Sequence, residues 1–132
     1  VRKRSKSRDF EHQEQKRFFD WTGKPNTLAK WPELILFHAI PNGGDRDIRV
    51  AVKLRAEGVK SGVPDMMLPV ASGGFHGLYI ELKVKGNKPS ENQTWWHGQL
   101  AAQGFAVFVC YSYPEARAVT ERYMQGGYRR AA

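Results

Sequence analysis

The sequence predicts a single α/β domain in which a mixed β-sheet is flanked by helices. The chain has 132 residues and 41% hydrophobic content, enough for one core and too little for two. Short apolar runs of strand length alternate with stretches of helical period, which is the pattern of a sheet covered by helices. Two of those runs flank a Gly-rich connector, so part of the sheet should be an antiparallel hairpin.

Residues 1–8 hold five Lys or Arg side chains and read as a disordered basic arm. A first helix is predicted from Asp9 to Trp21, with Phe10, Phe18, Phe19 and Trp21 at its apolar positions. Pro25 and Asn26 end it. Residues 34–40 form a continuous apolar run that reads as a buried strand, leading into the turn Pro41-Asn42-Gly43-Gly44. Asp45 or Asp47 can cap a second helix through Leu54, closed by Gly58.

Residues 63–70 and 78–84 are the two arms of the predicted hairpin, joined by residues 71–77. Ser90 and Gln93 have the spacing of a capping box ahead of a helix that contains Trp95, Trp96 and Leu100 and stops at Gly104. Residues 105–111 read as a central strand. Pro114 suits the first turn of a last helix that reaches Met124, after which Gly126 and Gly127 release a basic tail, residues 125–132. The folded domain is thus expected over residues 9–124.

Composition narrows the function. No apolar stretch approaches the roughly 18 residues that span a bilayer, and no signal-peptide core follows the basic start, so a cytoplasmic protein without membrane contact is expected. The single Cys110 lies in an apolar run and reads as a buried thiol, not a nucleophile. Net charge is +8, from 21 Lys and Arg against 13 Asp and Glu. Setting aside seven basic residues at the two ends leaves 14 against 13, so the excess is terminal. It can serve solubility or grip phosphates.

The residues that carry chemistry lie in the hairpin. Glu81 and Lys83 are two apart on one strand and share a face, while Ile80, Leu82 and Val84 point the other way. Asp65 follows Pro64 at the start of the paired strand. Two carboxylates can hold a hard divalent cation, and a neighbouring ammonium can orient or deprotonate an attacking water and offset charge on a pentacovalent phosphorus. A bare Glu-x-Lys tripeptide is weak evidence, since a chain of this length contains one by chance about half the time. The plain alternative is a solvent-facing salt bridge on an edge strand.

In context the motif is more specific. Gly62-Val63-Pro64-Asp65-Met66-Met67-Leu68-Pro69, followed by Gly77-Leu78-Tyr79-Ile80-Glu81-Leu82-Lys83-Val84, resembles the PD-(D/E)XK nuclease signature and, more narrowly, the virus-type replication-repair nuclease (VRR-NUC) domain. Supporting pieces are Glu11 to Gln15 on the first helix, residues 40–44, residues 58–62 and Ser90 to Gln93; the likeness covers about residues 9–124.

The resemblance implies a restriction-endonuclease-like fold and a Mg²⁺- or Mn²⁺-dependent endonuclease acting on DNA. It implies that Asp65 and Glu81 bind the metal with the backbone carbonyl of Leu82, that Lys83 handles the water, and that Glu11 is a further acid with Gln15 as its companion. Glu11 and Gln15 are one helical turn apart; Glu14 is the rival acid, and helix-dipole stabilisation is the plain reading of Glu11. It also suggests branched, four-way-junction DNA and a homodimer, since paired cuts need two copies of one site.

Family position suggests Asn42 and Gln93 as further substrate contacts, and Lys53, Arg55 and Lys60 around Gly58 could meet phosphates. Turn chemistry is the commoner account of Asn42 and a solvated face that of the three charges, while helix capping explains Gln93 equally well. His12, His38, His76 and His97 show no metal-ligand spacing. Trp95 and Trp96 look like a base-stacking pair, although adjacent helical residues diverge by about 100° and one should be core. A different class remains open: a catalytically silent nucleic-acid-binding adaptor that keeps the fold. The intact Asp65, Glu81 and Lys83 argue against it.

Overall fold

A computed structural model describes residues 2–41 and 47–132. Asn42, Gly43, Gly44 and Asp45, with the turn and substrate contact assigned to them, lie outside the described residues. The elements run α1 (Arg2–Thr22), α2 (Pro25–Lys30), a 3₁₀ turn (Pro32–Leu36), β1 (His38–Ala39), α3 (Ile48–Ala56), β2 (Met66–Leu68), β3 (Leu78–Leu82), α4 (Glu91–Ala102), β4 (Ala106–Cys110) and α5 (Tyr113–Met124). The sheet order is β1-β2-β3-β4, with β1/β2 and β2/β3 antiparallel and β3/β4 parallel. The fold is therefore the mixed sheet flanked by helices that the sequence predicts. No helix among the described residues is long and apolar enough to cross a membrane.

Several expected boundaries move. The basic segment at residues 2–8 does not stand apart as an arm; it continues α1, as a run of good helix formers without Gly or Pro can. Pro25 does more than end α1, because its fixed φ starts α2. Residues 34–40 are not one strand: Leu34 and Phe37 are buried while Ile35 and Leu36 are 68% and 48% exposed. Burial at a spacing of three is the 3₁₀ period, and only His38 and Ala39 join the sheet. Residues 105–111 do not supply a central strand: β4 pairs only with β3 and lies at the sheet edge, and the central strands are β2 and β3.

Other local signals act as read. Asp47 caps α3 by accepting from the Arg49 amide at 2.8 Å. Ser90 and Gln93 complete both halves of a capping box on α4. Pro114 sits in the first turn of α5. Within the hairpin connector, Ser72 and Phe75 exchange backbone hydrogen bonds across Gly73 and Gly74. Both glycines have positive φ, +60° and +89°, as a tight primed turn requires.

The core gathers the even-numbered residues of β2, β3 and β4 against α1 and α5. Met66, Leu68, Leu78, Ile80 and Cys110 are fully buried with Phe18 and Ala116. Phe18 sits at the centre of an edge-to-face cluster with Phe19, Trp21 and Phe37, at centroid distances of 4.9 to 5.6 Å. The end of the chain is held too: Tyr128 packs on this core, and the Arg130 amide donates to the Gly73 carbonyl at 2.8 Å. Gly126 and Gly127 turn the backbone back instead of releasing a loose tail.

Candidate active site

The opposite face of the sheet carries the polar cluster. Strand alternation puts Ile80 and Leu82 into the core and turns Glu81 the other way, toward α4. It does not reach water: Glu81 is 1% exposed. An ionisable group so enclosed must have partners. The Lys83 ammonium stands 3.6 Å from its Oε2 and His97 Nε2 stands 3.4 Å from its Oε1. Lys83 is itself largely covered, at 16% side-chain exposure. The solvent-facing edge-strand salt bridge is thereby excluded: the pair exists, but it is buried on a central strand.

Asp65 comes from the antiparallel partner. The hairpin register pairs Met66 with Ile80, so Asp65, one residue before, falls level with the end of β3. Its Oδ2 accepts the Leu82 amide at 2.8 Å, which fixes the Leu82 backbone between the two strands. Glu11 reaches in from α1 and accepts the Val84 amide at 3.3 Å. Three segments distant in sequence thus contribute to one cluster.

The electrostatics show how tightly it is drawn. Burial, then the charge of Asp65, push the Glu81 carboxyl up to about 8, against the opposing pull of Lys83. Glu11 is raised as well, first by burial, with Lys83 pulling it down and Asp65 pushing it up. His97 is lowered by burial and by the Lys83 charge. At neutral pH the cluster holds a proton on Glu81, because three carboxylates near one lysine cannot all ionise cheaply.

This donor set matches the chemistry of a hard divalent cation, which takes carboxylate oxygens and relieves the repulsion among them. Among the described residues no three His, Cys, Asp or Glu side chains already converge on one point. Each carboxylate is instead turned to a protein donor: Glu81 to Lys83 and His97, Asp65 to Leu82, Glu11 to Val84. Glu11, Asp65, Glu81 and the Leu82 backbone are the groups that could hold such an ion.

The structure separates the two first-helix acids. Glu14 is buried on another face, where it accepts the Tyr113 amide at 2.9 Å at the start of α5 and pairs with Arg17 at 2.9 Å. Glu11 is the acid beside the cluster. Gln15 is half-buried one turn after it. Gln93 spends its Oε1 on the Ser90 amide at 2.8 Å, and Lys60 is exposed beside the loop that Asn92 ties to Ser61 at 2.8 Å; neither joins the carboxylates. Trp95 is 57% exposed and Trp96 half-buried, so neither is core. His97 is the residue that sequence reasoning missed. Its one signal is a position four after Gln93, on the same side of α4.

Comparison with known proteins identifies the family. The VRR-NUC domain model matches residues 5–114. A solved structure described as a VRR_NUC domain protein superimposes with a TM-score of 0.73 at 26% identity, covering 91% of this chain and 92% of that one. No curated protein matches the chain. A hairpin that buries Glu81 beside Lys83 and Asp65, inside a match running through most of the domain, means that the chain belongs to the VRR-NUC family and carries a nuclease-fold domain.

Proposed function

We propose that this protein is a Mg²⁺- or Mn²⁺-dependent endonuclease that hydrolyses phosphodiester bonds in DNA, with Asp65, Glu81 and Lys83 at the reaction centre and Glu11 as a further acid. The observation that carries the reading is the buried Glu81 carboxylate, pressed by Asp65 and answered by Lys83. A divalent ion held by Asp65, Glu81, the Leu82 carbonyl and Glu11 would supply polarisation of the phosphate and a more acidic water. The chain's own groups do the rest. Lys83, as the ammonium, orients the attacking water and offsets the charge building on phosphorus, while the proton that water loses passes to solvent. Water attacks phosphorus, the bond to the leaving oxygen breaks, and that oxygen leaves with a proton from solvent. His97 holds Glu81 from the α4 side, and burial keeps these charges effective.

The substrate reading is a branched DNA such as a four-way junction, cut by a homodimer, because symmetric cuts on two strands need two copies of one site. Gln15, Asn42, Lys60 and Gln93 are proposed to lie along the bound DNA. The test uses labelled linear, nicked and four-way-junction DNA with Mg²⁺, Mn²⁺ or EDTA. Cutting is expected with either metal, fastest on the junction, and none in EDTA. Asp65→Asn should fold and bind yet not cut. Cleavage that persists in EDTA sinks the metal mechanism, and binding without cleavage in either metal makes the protein an adaptor.

A further inference from the structure

Beside the polar cluster, a groove of about 590 Å³ lies along the edge strand β4. One wall is α4, through His97 and Gly98; the other is the returning end of the chain, through Tyr128 and Arg129. Between them lie Phe105, Val107 and Phe108. The size suits a small planar ligand, and the walls are largely aromatic and aliphatic. Tyr128 is packed on two sides, its ring centroid 4.7 Å from that of Phe108 and 4.6 Å from the Arg122 guanidinium.

The groove also offers hydrogen bonds. Ala106 donates to Gly77 at 3.0 Å and Cys110 accepts from Lys83 at 2.9 Å, so residues 106, 108 and 110 face β3. In a parallel ladder the amide and carbonyl of Val107 then point away from β3. A flat aromatic ligand with donors and acceptors on its rim is what such a slot fits.

Two observations connect the groove to nucleic acid. His97 lines it and also touches Glu81 at 3.4 Å, so it adjoins the proposed reaction centre, while Arg129 gives it a cationic rim. Gly98 stands in the interior of α4, where glycine is less favourable than Ala, yet a Cβ there would meet nothing within 4 Å. Close packing therefore does not demand a glycine here, and the space above it is the open groove.

We infer that the groove receives one unpaired nucleobase of the DNA strand being cut, stacked on its aromatic walls and read at its rim by the Val107 backbone, with Arg129 on an adjoining phosphate. This rests on the nuclease reading above. It makes the site choose strands with an unstacked base beside the cut.

The test measures binding of fluorescently labelled forked DNA in EDTA by anisotropy, with a single abasic residue moved along the unpaired arm. Loss of the base at one position should weaken wild-type binding roughly tenfold, the scale of one base stacked on aromatic rings. Gly98→Leu fills the groove and should erase that discrimination, binding fully paired duplex as before and melting no lower than wild type. Ala101→Leu, on the same wall, is the second variant should the first fail to fold. Indifference of the wild type to every abasic position overturns the inference, as does discrimination that survives both fillings. A wild-type dimer that Gly98→Leu dissociates would assign the groove to a second copy and also overturn it. Cutting in Mg²⁺ without base discrimination removes the groove alone; discrimination without cutting removes the nuclease reading alone.

Discussion

Replacing Glu81 by Gln should make the metal-free protein more stable at alkaline pH. The carboxyl titrates near its ordinary 4.5 in the unfolded chain and about 8 in the folded one. The folded state therefore binds the extra proton, and stability is fully present below about 4.5 and lost as pH rises through about 8. At roughly 1.4 kcal/mol per pH unit the whole loss is up to about 5 kcal/mol, with no solvent screening to discount at 1% exposure. Glu11, also raised, acts in the same direction; His97, lowered, acts oppositely, and only below its ordinary 6.5. His97 therefore drops out from pH 7 to 8.5, where Glu81 alone should cost the wild type about 1 kcal/mol and Glu11 can only add to it.

Gln keeps the shape and removes the charge, so urea unfolding in EDTA should show little slope for Glu81→Gln in that range. Above pH 8.5 the variant should exceed wild type by a few kcal/mol, less what Lys83 loses with its partner. The same substitution should abolish cleavage, so that a group which destabilises the fold is kept for the reaction. The reasoning fails if wild-type stability rises between pH 7 and 8.5, or if Glu81→Gln is the weaker protein at pH 9.

Two further outcomes test the site and the core. Mg²⁺ or Mn²⁺ at 100 times its dissociation constant should stabilise the wild type by about 2.7 kcal/mol and raise its melting temperature, but not that of Asp65→Asn; equal shifts in both proteins would place the ion elsewhere. Cys110, buried and with its thiol pushed up to about 12 by burial and the Glu115 charge, should resist a thiol-titrating reagent at pH 8 in the folded state and react once on unfolding. Rapid modification of the native protein would contradict its place in the core.

Local sequence determined the elements whose signals are local. The Ser90/Gln93 capping box, Asp47 as one of two candidate caps and Pro114 in a first turn are each complete within four residues and work as read, and the Gly-rich connector at 71–77 does reverse the chain, at Gly73-Gly74. Alternation likewise put Glu81 and Lys83 on one side of β3 with Ile80 and Leu82 on the other, because period two is a property of the strand alone. Residues 34–40 resisted because a short apolar run fits a strand or a 3₁₀ turn, and the choice fell to which side chains, Leu34 and Phe37, met the core.

Tertiary structure decided what depends on distance across the chain. Glu11 and Glu14 are equivalent by spacing, yet α1 meets the end of β3 with one and the start of α5 with the other. The packing of α4 over β3 brought His97 to Glu81, and the folding back of residues 126–130 closed a groove beside them. His97 is marked in residue order only by its place four after Gln93, and the groove not at all, because both follow from where whole segments come to rest on the sheet. Charge and pattern named the reacting groups; only their enclosure, by segments more than 70 positions apart in the pairing of Glu11 with Val84, turned ordinary carboxylates into a strained cluster that holds a proton near neutrality.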